Sequence, residues 1–150
     1  MCAANGALVG RVRKLMRIKG QKGAAVVEFA FVLPLLMLIL FGIIEFGLLF
    51  YNKQVLTNAS REGARAGIAY ATATEIETIV ENYCSNRLIR FDTDVDPNTT
   101  VAGAMGSYGQ DLTVVVTYEY TFLAPGLLGF GPNMQLAAQT VMKMESVAGP

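Results

Sequence analysis

Between Glu28 and Glu45 lie sixteen consecutive residues without a charge, and no other feature limits the fold of this chain as strongly. Residues 24–27 before that run and 46–51 after it are also uncharged. The stretch is long enough to cross a bilayer as one helix. At about 1.5 Å of rise per residue the two glutamates stand roughly 25 Å apart along the axis, against a hydrocarbon core of about 30 Å, so each can lie near an opposite interface. Glu45 is read as interfacial on this basis. Pro34 withholds a backbone donor from the carbonyl of Ala30 and predicts a kink, which membrane helices tolerate where neighbours satisfy the freed group.

Charge sets the direction of the span. Arg11, Arg13, Lys14, Arg17, Lys19 and Lys22 all precede Glu28, the first acidic residue, while the distal flank has no basic residue until Lys53. The positive-inside rule puts the N-terminus in the cytoplasm and the last hundred or so residues on the far side. A cleaved secretory signal would have a shorter core ending in small residues, whereas Ile43-Ile44-Glu45-Phe46 follows here. A lipid anchor on Cys2 is excluded too, because that cysteine precedes the apolar core.

The net charge of zero conceals this asymmetry. Six of the twelve Lys and Arg lie in the leader, leaving six basic against twelve acidic residues after Gly23, a formal charge of −6. A basic nucleic-acid-binding domain does not fit such a balance. Histidine and tryptophan are absent, which removes the commonest general base and the commonest zinc ligand. With no nucleophile, base and orienter to name, no enzyme activity, cofactor or metal is expected. Cys2 and Cys84 are the only cysteines, so a product without the leader would hold one thiol and no internal disulfide.

Lys22-Gly23-Ala24-Ala25-Val26-Val27-Glu28-Phe29 sets a glycine before the apolar run and a glutamate at the fifth position after it. This resembles a type IV prepilin cleavage motif. Its continuation through Ala30-Phe31-Val32-Leu33-Pro34, Phe41-Gly42-Ile43-Ile44-Glu45-Phe46-Gly47 and Thr57-Asn58-Ala59-Ser60-Arg61-Glu62-Gly63-Ala64-Arg65-Ala66 resembles the TadE-like family of minor pseudopilins in tight-adherence (Flp) pilus systems. The resemblance implies cutting between Gly23 and Ala24 by a membrane-embedded aspartyl prepilin peptidase. It also implies pairing of Glu28 with the new α-amino group of Ala24 or of a packed neighbour. Where the family has a Glu-Tyr pair, this chain has Glu28-Phe29, which keeps the ring and lacks the hydroxyl. Each element has a physical reason: glycine allows close backbone approach by a protease, the basic leader holds the bond at the cytoplasmic face, and a carboxylate one turn into the helix is costly unless paired. An ordinary small residue at position 23 and a headgroup-level Glu28 are the plainer alternatives.

Beyond the span, Ala59, Gly63, Ala66 and Gly67 recur at spacings of three and four, a stripe that lets another element approach closely. Packing against a second pilin-like subunit and packing against the chain's own sheet fit it equally. Thr72 with Glu75 three residues later forms a capping box, followed by Ile76, Ile79, Val80, Tyr83, Cys84 and Leu88 on one helical face. Cys84 is read there as a small buried hydrophobe. Leu112, Val114, Val116, Tyr118, Tyr120 and Phe122 alternate with Thr113, Val115, Thr117, Glu119 and Thr121, a half-buried strand. A second strand is expected at 135–145 and a weaker one at 99–105, in an antiparallel meander.

Two motifs are set aside. Asp92-Thr93-Asp94-Val95-Asp96-Pro97 has alternate carboxylates, but an EF-hand needs glycine sixth and glutamate twelfth, where Pro97 and Gly103 stand. Gly126, Gly129 and Gly131 form a G-x-x-G-x-G run that opens no helix and so offers no phosphate cradle. Leu127, Leu128 and Phe130 in that connection either form an exposed contact patch or fold back on the core.

The expected fold is α+β and pilin-like: a basic cytoplasmic leader at 1–23, a transmembrane helix at 24–51 and an exported domain at 52–150 with a second helix and a three-stranded antiparallel sheet. The expected function is a minor pseudopilin that helps assemble an adherence pilus. Its partners would be the lipid bilayer, the prepilin peptidase, other pilins and Tad inner-membrane components, without nucleic acid or small-molecule substrate. The expected location is the bacterial cytoplasmic membrane, as a signal-anchored single pass with the domain periplasmic or extracellular. An uncut membrane scaffold of the pilus machinery and a surface-binding adhesin using residues 125–132 are the alternatives.

Overall fold

A computed structural model describes residues 4–91, 96–123, 125–129 and 131–145, and the side chains from residue 23 onward apart from those of 127 and 128. The chain divides into one unit at Met1–Phe41 and a second at Gly42–Pro150.

One helix, α1 (Ala4–Ile68), supplies the described backbone of the first unit and enters the second. Within the first unit Val26, Val27, Phe29, Phe31, Val32, Leu35 and Leu36 are all more than half exposed. Side chains so apolar and so uncovered belong in lipid or against another apolar surface. The helix contains Pro34 without being split there.

In the second unit the remainder of α1 and a second helix, α2 (Ala73–Ser85), lie on one face of an antiparallel sheet of β1 (Asn98–Ala102), β2 (Asp111–Thr121) and β3 (Asn133–Lys143), in the order β1-β2-β3. A single turn, α3 (Pro125–Leu128), sits in the β2–β3 connection. The meander, the capping box and the in-facing set of β2 agree with the reading from sequence. Leu112, Val114, Val116, Tyr118 and Tyr120 are buried and their alternates are not. At the start of α2 the Thr72 hydroxyl accepts from the Glu75 backbone N–H, and a Glu75 carboxylate oxygen accepts from the Thr72 N–H. Ile76, Val80 and Cys84 of α2 are fully buried, as an apolar stripe at helical spacing requires.

The small-residue stripe faces this domain's own core. A Cβ added at Gly63 would stand 2.6 Å from Val80 Cγ2 and 3.2 Å from Ile76 Cγ2, and one at Gly67 would stand 2.3 Å from Leu112 Cδ2. Ala59 is buried, while Ala66 is half-buried and its neighbour Ala64 takes the fully buried place. Glycine here brings α1 close to both α2 and β2. Because Gly67 lies by Leu112 while Glu45 bonds Tyr120, β2 runs back along α1. Buried contacts on α1 begin at Glu45 and Leu49, several residues before position 52.

Candidate functional site

Apart from the tyrosines and Cys84, three polar side chains are buried among the described residues, and all three are on α1: Glu45, Asn52 and Ser60. They follow one another at intervals of about two turns, on the stripe that also carries Leu49, Leu56 and Ala59. Each fastens the helix to a different element. Asn52 donates to the Ile89 carbonyl at 2.8 Å and accepts from the Ile89 N–H at 2.9 Å, clamping the backbone just beyond α2. The Ser60 hydroxyl lies 2.8 Å from that of Thr140 on β3. On the neighbouring face, Lys53 Nζ donates to the Ala137 carbonyl.

Glu45 is the one acidic residue of the three and has the most hydrogen-bond donors. Its Oε1 accepts from the Tyr120 hydroxyl at 2.9 Å and from the Leu123 N–H at 3.0 Å, with Oε2 3.2 Å from the same N–H. Only 2% of Glu45 is exposed, and a carboxylate so far from water is tolerated when donors converge on it. Beyond the depth read from the sequence, Glu45 is an interior anchor of the domain. Burial, then the bond to Glu45, raises the Tyr120 hydroxyl above the ordinary tyrosine range. The sequence signal was the spacing 45, 49, 52, 56, 59, which sets this glutamate on a stripe of core residues.

Gly23, Ala24, Glu28 and Phe29 lie together on α1 and all are exposed. A Cβ at Gly23 would meet nothing within 4 Å, so among the described residues no packing demands glycine there. Ala24 is an internal helical residue of the uncut chain, with no α-amino group to offer Glu28. The leader side chains at 1–22 lie outside the described residues, as do the side chains of Leu127 and Leu128, Phe130 and positions 92–95 of the acidic loop. The described end of that loop, Asp96, pairs with Arg90 at 2.7 Å. Cys84 is a buried free thiol, pushed up to about 11 by burial with the positive charge of Arg90 opposing. No group of three or more potential metal ligands occurs among the described residues.

A helix long and apolar enough to cross a membrane, continuing into a small α+β domain that it anchors from within, is the architecture of a single-pass membrane protein. Residues 23–65 match the family model described as TadE-like protein. The matched segment opens on Gly23 and includes Glu28, Glu45, Asn52 and Ser60, and it leaves out Ala66, Gly67, α2 and the sheet. No curated protein and no solved structure matches the chain.

Proposed function

We propose that the chain is a minor pseudopilin of a tight-adherence pilus system, cut by a prepilin peptidase between Gly23 and Ala24 and working by assembly instead of catalysis. The observation that carries the reading is the TadE-like match beginning at Gly23, followed by a glutamate at the fifth position and an uncovered apolar helix. Removal of 23 of the 150 residues leaves a chain of 127. Its new amino group at Ala24 would neutralise Glu28 on the same or an adjacent helix, lowering the cost of a carboxylate at membrane depth. The exposed side chains of 26–40 would then pack against sibling helices or lipid, while the small residues of the stripe serve the domain's own core.

A second reading, an uncut membrane scaffold of the same machinery, draws on α1 running through positions 23 and 24 without a break. The two part on one substitution. Bacteria producing Gly23→Ala in place of the native chain are expected to retain the leader on this protein and to lose surface pili. Normal processing with normal pilus counts would remove the pseudopilin reading.

A further inference from the structure

The hydrogen bond between Glu45 and the Leu123 N–H fixes where the β2–β3 connection sits along α1. From Ala24 to Ile44 there are 21 residues, roughly 32 Å of helix against a hydrocarbon core of about 30 Å, so Glu45 falls at the far boundary of the core. The headgroup layer beyond it is about 5–8 Å thick. Leu123, whose N–H is 3.0 Å from Glu45, lies at the depth of that layer, and so do Phe46 and Phe50, one to five residues further along α1. Met134 joins them, because it pairs with Tyr120 across the sheet and Tyr120 is the other donor to Glu45.

All four are large, apolar and uncovered: Phe46 is 48% exposed, Phe50 67%, Leu123 46% and Met134 47%. The sequence around the last two, residues 120–142, holds no charge at all. Glu119, on the opposite face of β2, is engaged by Asn133 at 2.9 Å. At the other end of the sheet the pattern reverses, with Asp111 and Lys143 forming an exposed ion pair at 2.9 Å. One end of the domain is therefore suited to lipid and the other to water.

We infer that the domain rests on the bilayer crossed by its own helix, with Leu123, Met134, Phe46 and Phe50 seated in the headgroup layer around the Glu45 anchor. This rests on α1 spanning the membrane. Seating would hold the domain at a fixed height and limit its tilt when it meets a sibling subunit.

The test uses the full chain with Cys2→Ser, in vesicles of phosphatidylcholine and phosphatidylglycerol, carrying an environment-sensitive fluorophore on one introduced cysteine. Positions are Leu123→Cys, Met134→Cys, Gln139→Cys on the outer sheet face, and Ile39→Cys in mid-span. Lipids bearing a nitroxide at the headgroup or deep in the chain serve as quenchers. The expected result is blue-shifted emission and loss of signal to the headgroup nitroxide at 123 and 134, little loss at 139, and loss to the deep nitroxide at 39. Loss at 39 with 123 and 134 behaving like 139 overturns the seating alone. No loss at 39 overturns the span itself. Shielding at 123 and 134 that disappears as protein is diluted into lipid overturns the seating in favour of a second copy.

Discussion

Glu45 and Tyr120 stand 75 positions apart in the chain and share a buried hydrogen bond of 2.9 Å, carboxylate to phenol. The bond joins the helix to the central strand of the sheet at the point where the apolar run ends. Removing the phenolic oxygen by Tyr120→Phe takes one donor from a buried carboxylate and is expected to lower stability by about 1.5–3 kcal/mol, the range for hydrogen bonds to charged groups. Glu45→Ala should cost more, since it strands both the Tyr120 hydroxyl and the Leu123 N–H, whereas Glu45→Gln keeps an acceptor and should cost less. Denaturant midpoints of the full chain in detergent, read by near-ultraviolet circular dichroism, give the order.

The two core glycines of α1 make an opposite prediction to the usual one for helices. Gly→Ala within a helix ordinarily gains about 1 kcal/mol. At Gly63 the new methyl would meet Val80 Cγ2 at 2.6 Å, a β-branched side chain with little rotamer freedom on a helix. Overpacking of about 1–3 kcal/mol then outweighs the propensity gain, and Gly63→Ala lowers the midpoint. Gly47→Ala, with nothing within 4 Å of its Cβ, leaves the midpoint unchanged or raises it.

The capping box predicts a dependence on acid pH. The backbone and side-chain bonds from Thr72 lower the Glu75 carboxyl below its ordinary value of 4.5, against a small opposing effect of burial. A lowered carboxyl contributes stability that is present above the unfolded-state value and is lost as the pH falls through the native one. The slope below pH 4.5 should therefore be shallower in Thr72→Ala than in the native chain, as followed by acid titration of helix content.

Cys84 reports burial from the alkaline side. Its thiol is raised from 9.0 to about 11, so the folded chain keeps the proton where the unfolded chain has lost it. The contribution is complete below about pH 9 and is lost as the pH rises through about 11. Maleimide at pH 8 should leave Cys84 unmodified in the folded chain and modify it fully in denaturant, since the reactive species is the thiolate. Rapid labelling without denaturant would show that α2 is not packed as described.

Much of this architecture was legible because its signals are local. The alternation from Leu112 to Phe122 marks one buried face of β2, and Thr72 with Glu75 marks the start of α2 to the residue. The stripe at Ala59, Gly63 and Gly67 announced close packing but not the partner, because small residues record a distance of approach and not what approaches. The burial of Glu45 was not legible for a related reason. Beside so long an apolar run a glutamate resembles the end of a membrane span, and the donors that make its burial tolerable come from Tyr120 and Leu123, which no local pattern connects to it. Asn52 and Ser60 escaped notice in the same way, their partners Ile89 and Thr140 being equally remote in sequence.

The mass of the chain recovered from membranes decides whether the leader is removed. In cells with an active prepilin peptidase, cleavage predicts a species beginning at Ala24 and ending at Pro150, and in cells without the enzyme a species that keeps the leader. Recovery of the leader-bearing chain alone from cells with the active enzyme would contradict it.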